Sequence, residues 1–218
     1  MKDRMTLINA QESVFFDLDG TLTDPKIGIT RSIRFALEKL RVDSPSEDEL
    51  TWCIGPPLLE SFASIVGEQH APQALEYYRE RFAETGWREN TPYPGILQTL
   101  ADLVDAGRTL YVATSKPHIY ARRIIKHFEI GQYFSEVFGS ELDGTRSAKT
   151  ELLSYALTET RSTSSVMIGD REHDVIGALN NGMRAIGVSY GYGSREELVK
   201  AGAEEIVSQP EDLLSLLR

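Results

Sequence analysis

The stretch Ser13-Val14-Phe15-Phe16-Asp17-Leu18-Asp19-Gly20-Thr21 decides the fold. A short apolar run that ends in acidic and turn-forming residues reads as a buried strand, expected over residues 13–18. A strand apolar on both faces needs cover on both, which points to a parallel sheet between two layers of helices. The chain downstream repeats the theme. Residues 109–114, 137–139, 165–168 and 184–188 read as further strands. Helical patterns lie between them at about 95–106, 117–128, 148–160, 172–180 and 196–201, and a last helix runs from 211 to the terminus. Gly107 and Gly182 stand where helices should stop. The fold class is therefore α/β.

One region breaks the alternation. Between about Lys26 and Asn90 only helical patterns occur: Ile29, Ile33, Leu37 and Leu40 share one spacing, Leu75, Tyr78 and Phe82 another. Residues 50–54 and 58–66 flank Gly55-Pro56-Pro57. The expected organisation is a sheet domain of residues 1–24 and 91–218 with a helical domain, 25–90, inserted after the first strand.

Bulk properties narrow the function. The net charge is −10 and 41% of residues are hydrophobic. An acidic surface repels nucleic-acid backbones and anionic lipids, so neither is an expected partner. No apolar stretch is long enough to span a bilayer, and the N-terminus lacks the apolar segment of a signal peptide, so a cytoplasmic location is expected. Cys53 is the single cysteine, which excludes an internal disulfide and a cysteine-rich zinc site.

In an open α/β sheet, ligands meet the carboxyl ends of the strands. The polar residues expected there are Asp17 and Asp19, then Thr114, Ser115 and Lys116, then Lys149, and finally Asp170 with Asp174 a helical turn later. Asp17, at a strand end, can attack phosphorus. Asp19 can protonate a leaving oxygen and then take a proton from water. Carboxylates beside a phosphate repel it unless a divalent cation intervenes, and hard oxygen donors favour Mg2+. Asp170 is a natural further ligand, with Asp174 direct or through water. Ser115 and Thr114 suit phosphate oxygens, and Lys149 supplies positive charge to a phosphoryl group in transfer.

These segments together resemble the haloacid dehalogenase superfamily of phosphatases. DLDGT matches its first motif, Ser115 in ATSK the second, Lys149 the third and GDREHD at 169–174 the fourth. The resemblance covers essentially the whole chain. It implies a Rossmann-like core, a mobile helical cap formed by residues 25–90, and a metal held by Asp17, Asp170 and the backbone carbonyl of Asp19. Members that cleave carbon–halogen bonds lack a carboxylate at the Asp19 position, so Asp19 favours phosphate monoesters. Thr150 after Lys149 and Arg171 after Asp170 depart from the commonest pattern. GDREHDVIGA looks like a phosphoglycolate-phosphatase-like subgroup, some of whose members are 5′-nucleotidases.

The expectation is a Mg2+-dependent hydrolase of a small phosphorylated metabolite, either a nucleoside 5′-monophosphate or phosphoglycolate, acting as a monomer or homodimer. A sugar-phosphate mutase and a non-catalytic phosphate-binding module are the alternatives. Substrate contacts are expected from Gly55, Arg31, Arg146 and Lys116. Tyr190-Gly191-Tyr192-Gly193 reads as an ordinary strand-to-helix loop.

Overall fold

The computed structural model describes residues 12–217. The N-terminal reading falls largely on residues 1–11, outside the described residues, as does Arg218.

Six strands form one parallel sheet in the order β5-β4-β1-β6-β7-β8. They are β1 (Ser13–Phe16), β4 (Thr109–Pro117), β5 (Phe134–Ser140), β6 (Ser165–Gly169), β7 (Arg184–Val188) and β8 (Glu205–Val207). β1 lies at the centre, with Phe16 registered against Val112 of β4 and Ile168 of β6. β2 (Thr23–Asp24) and β3 (Thr91–Pro92) form a separate antiparallel ribbon where the helical insert leaves and returns.

The two faces of the sheet follow the alternation of side chains along a strand. Val14 and Phe16 of β1, with Leu110, Val112, Val166 and Ile168, pack under α4 (Ile96–Asp105), α5 (His118–His127) and α9 (Leu213–Leu217). Phe15, Ala113 and Met167 face the other way, towards α6 (Lys149–Thr160), α7 (Glu172–Asn180) and α8 (Arg195–Ala201). Val14, Phe15 and Phe16 are all fully buried, which is why β1 reads as an unbroken apolar run.

The insert consists of α1 (Lys26–Lys39), α2 (Leu58–Val66) and α3 (Ala71–Glu84) with short 3-10 turns. Residues 50–54, expected to be helical, form only a 3-10 turn at Thr51–Cys53, because Gly55 and the two prolines leave no room to extend it. These helices bury a hydrophobic cluster of their own: Ile29, Ile33 and Leu37 meet Phe62, Tyr78 and Phe82. Tyr120 of α5 joins that cluster and sets its ring edge-on to Phe82, with centroids 5.2 Å apart.

Two elements depart from the sequence reading. β8 escaped it because three residues give no periodicity to detect. The ribbon of β2 and β3 is likewise too short to signal itself. Among the described residues, no helix is long and apolar enough to cross a membrane.

Phe62 is fully buried in the cluster of the insert and stacks edge-on against Tyr78. Phe62→Ala should therefore cost about 3–5 kcal/mol of stability, read as a lowered urea midpoint.

Candidate active site

Strand ends and the first turns of two helices place the polar groups. Asp17 follows β1 directly, and its amide donates to Ile168 O (2.9 Å), which keeps the residue in the sheet register. Lys149 opens α6, and Asp170 follows β6. Asp174 sits in the first turn of α7, where its carboxylate accepts from the Arg171 amide (3.2 Å) and closes the helix start.

Lys149 is the centre of the arrangement. Its Nζ lies 2.8 Å from Asp17 Oδ1 and 2.8 Å from Asp174 Oδ1, and it donates to Ala113 O at 2.9 Å. Burial works against its charge, but Asp17 and Asp174 outweigh burial and hold the Lys149 pKa above its ordinary value. Thr114, Ser115 and Lys116 follow at the end of β4. Lys116 Nζ sits 2.7 Å from Asp19 Oδ2 and 4.6 Å from the centre of the Phe82 ring on α3. The other oxygen of Asp19, Oδ1, is buried without a hydrogen-bond partner among the described residues. Burial raises the Asp19 pKa above the usual carboxylate range; Lys116 opposes that shift and Asp17 adds to it.

Asp17, Asp170 and Asp174 each bring a carboxylate oxygen within 4.8 Å of the others, and all three are buried. Asp170 accepts from the Tyr192 amide (2.7 Å) and from Thr21 Oγ1 (3.5 Å). Burial, then Asp174 and Asp17, push its pKa well above the usual carboxylate value. Three buried carboxylates share one lysine, so the cluster carries excess negative charge. Hard oxygen donors in that state fit a divalent metal. Asp19 is not in the carboxylate cluster; its side chain is turned to Lys116.

A cavity of about 380 Å³ opens between the sheet edge and the insert. Asp17, Asp19, Thr114, Ser115 and Lys116 line one end, and Gly55, Pro56, Pro57 and Leu58 line part of the wall. Ser115 therefore faces a chamber, and no side chain caps α5.

Two cations expected at the substrate lie elsewhere. Arg31 points along the insert, with Nε 3.1 Å from Glu47 and Nη1 3.6 Å from Glu89. Arg146 is paired with Glu141 and lies over the Tyr155 ring at 4.4 Å. Neither lines the cavity, because each meets a nearer carboxylate.

The loop after β7 does more than connect. Tyr190 OH donates to Thr21 O (3.1 Å), the Tyr192 amide holds Asp170, and Tyr192 OH donates to Asp24. Gly191 packs so tightly that a Cβ would lie 2.3 Å from Gly20 O and 2.4 Å from Asp170 Cβ. The glycine-tyrosine alternation was the available signal for this role.

A parallel sheet with a buried acidic cluster at its strand ends, beside a chamber roofed by a helical insert, is the frame of an α/β protein with its candidate active site at the sheet edge. Residues 14–188 match the family model of haloacid dehalogenase-like hydrolases, and the chain belongs to that family. It is 50% identical over 190 residues to a 5′-nucleotidase of Pseudomonas aeruginosa, a match covering 85% of this chain and 86% of that one. It is 41% identical over 189 residues to the tyrosine-protein kinase PtkA of Mycobacterium tuberculosis, covering 86% of this chain and 65% of PtkA. The crystal structure of a predicted phosphatase from Clostridium acetobutylicum superposes with a TM-score of 0.92 at 43% identity, over 95% of this chain and 98% of that one.

The charge excess has a measurable consequence. A carboxylate whose folded pKa is raised weakens the fold as pH climbs from its unfolded pKa towards the raised one, so Asp170 opposes folding above the ordinary carboxylate range. Asp170→Asn should raise the stability of the metal-free protein by about 1–2 kcal/mol, or about 2–8 °C in Tm. Mg2+ should raise the Tm of the wild type and leave that of the variant unchanged. Thermal unfolding with and without Mg2+ reads both effects.

Proposed function

We propose that this chain hydrolyses phosphate monoesters through an aspartyl-phosphate on Asp17, with nucleoside 5′-monophosphates as the favoured substrates. The observation that carries the reading is the pair of carboxylates at one end of the chamber: Asp17 held by Lys149, and Asp19 held by Lys116 with one oxygen left free.

In the first step a carboxylate oxygen of Asp17 attacks phosphorus and the bond to the leaving oxygen breaks. Asp19 gives that oxygen a proton. In the second step Asp19 takes a proton from water, the water oxygen attacks phosphorus, and phosphate departs with Asp17 restored. Lys149 orients the Asp17 carboxylate and balances the charge that gathers around it, while Thr114 and Ser115 offer hydroxyl groups to the phosphoryl oxygens. Asp17, Asp170 and Asp174, with the Asp19 carbonyl, would hold Mg2+, which offsets the repulsion between carboxylates and the phosphate dianion. Residues 25–90 act as a cap that shields the chamber from water.

The walls bear on the leaving group. Away from the phosphate end the cavity is lined by Pro56, Pro57, Leu58, Leu75 and Leu142. The charged groups there are Glu60, Glu76, Glu141 and Asp143 against Arg79, whose guanidinium already donates to Leu142 O at 2.6 Å. Such walls favour a neutral, partly apolar leaving group with hydrogen-bond donors, as a nucleoside is. The carboxylate of phosphoglycolate would meet like charge, and its two carbons would leave most of a chamber of about 380 Å³ unfilled.

Phosphate release with Mg2+ across adenosine 5′-monophosphate, phosphoglycolate, glucose 6-phosphate and p-nitrophenyl phosphate tests the reading. The nucleotide should be hydrolysed best, and Asp17→Asn should abolish turnover; activity persisting in that variant would sink the mechanism. Asp19→Asn should slow nucleotide hydrolysis by about 10²–10⁴-fold. With p-nitrophenyl phosphate, whose leaving group needs no proton, it should instead release a burst of about one equivalent of p-nitrophenol and then stall. Because burial raises the Asp19 pKa, the proton-donating step should persist above the usual carboxylate range and decline as pH rises through that raised value.

A further inference from the structure

We infer that Arg171 is a positioning residue that fastens the Ile54-Gly55-Pro56-Pro57 loop of the cap over the chamber, from the same turn that carries Asp170. The inference rests on the phosphohydrolase reading for its effect on turnover, but the fastening is a contact in its own right. Arg171 Nη1 donates to Ile54 O at 2.5 Å, and Arg171 Nε lies 2.9 Å from Glu197 Oε1. Glu197 is fixed in turn: its carboxylate accepts from the Glu172 amide (2.8 Å), and its own amide donates to Ser194 Oγ (3.0 Å) at the start of α8. The Arg171 side chain is 14% exposed, so the bond to the loop is a largely buried, charge-assisted one. A guanidinium can serve a carboxylate and a carbonyl at once through separate N–H groups; an ammonium on a flexible stem lacks that fixed fork.

Gly55 is the matching half of the contact. Its φ is +105°, and a Cβ there would lie 2.8 Å from Arg171 Cγ. The loop therefore sits against the arginine closely enough that a side chain larger than hydrogen would displace it. Three cavity-lining residues, Gly55, Pro56 and Pro57, follow the carbonyl that Arg171 holds. At its other end Arg171 donates its amide to Asp174 and follows Asp170, so one residue joins the acidic cluster to the wall that meets the leaving group. A bond of the same kind runs the opposite way, from Arg79 of the cap to Leu142 O of the core, but that bond is open to solvent, which weakens it.

The test combines kinetics with hydrogen exchange on the full chain. Arg171→Ala should raise KM for the best substrate of the ester panel about tenfold, with kcat and the Mg2+ concentration for half-maximal activity unchanged within about twofold. Gly55→Ala, which alters the cap side alone, should do the same, and Arg171→Lys should not restore the wild-type KM. In Arg171→Ala the amides of Cys53 and Ile54, bonded to Leu50 O and Thr51 O, should exchange about tenfold faster. An unchanged KM with unchanged exchange overturns the inference, and so does a weakened Mg2+ requirement with unchanged exchange, which would make Arg171 a support of Asp170 only. If the wild type turns over none of the esters, the phosphohydrolase reading fails and the exchange measurement alone decides the fastening.

Discussion

Everything at the sheet edge is arranged around the buried ammonium of Lys149. It touches Asp17 and Asp174 at the same distance and so ties the end of β1 to the first turn of α7. Neither carboxylate could stay ionised at such depth without a partner, and a lone lysine there would itself shed its charge. The cost of taking these charges out of water is met only in part by their attraction, so the cluster stays electrostatically short of one or two positive charges. That shortfall is the physical reason the cluster suits a divalent cation.

The apolar core exists in a form that makes this placement rigid. Val14 and Phe16 are buried in one face of the sheet and Phe15 in the other, so a slip of β1 by a single residue would exchange these side chains between two differently packed cores. Asp17 inherits its position from that constraint. The insert is built differently, around its own buried cluster, and meets the core chiefly through Tyr120, the Lys116 ammonium and a few backbone bonds. The seam also includes Trp87, whose ring meets His127 (centroids 5.3 Å apart) and the Arg123 guanidinium, so it combines two aromatic contacts with several polar ones.

What the sequence disclosed follows from the range of each signal. Strand-end carboxylates and Lys149 were legible because a parallel sheet always delivers its strand ends to one edge, and the apolar runs that mark the strands are local. Arg31 and Arg146, expected at the substrate, are paired with carboxylates instead of lining the chamber, because a long side chain takes whichever carboxylate is nearest in space. Glu89 lies far from Arg31 in sequence, and the pairing of Arg146 with Glu141 competes with a reach into the chamber. β8 was missed since three residues hold no period, and the loop at Tyr190–Gly193 was undervalued because its hydrogen bonds run to residues near the first motif.

That loop and Arg171 share a logic. Gly191 lets the backbone close on Asp170, and Gly55 lets the insert close on Arg171, so glycines from two distant segments make room for adjacent residues of one turn. The turn after β6 is thus gripped from both sides: Tyr192 holds the carboxylate of Asp170, and the guanidinium of Arg171 holds the insert. A residue of the acidic cluster and a residue that holds the chamber wall are thus neighbours in one turn. A displacement of one bears on the other, because the Arg171 amide is bonded to Asp174 and its guanidinium to Ile54 O. A shift of the insert would therefore reach the acidic cluster through position 171, and would reach Asp19 through Phe82 and Lys116.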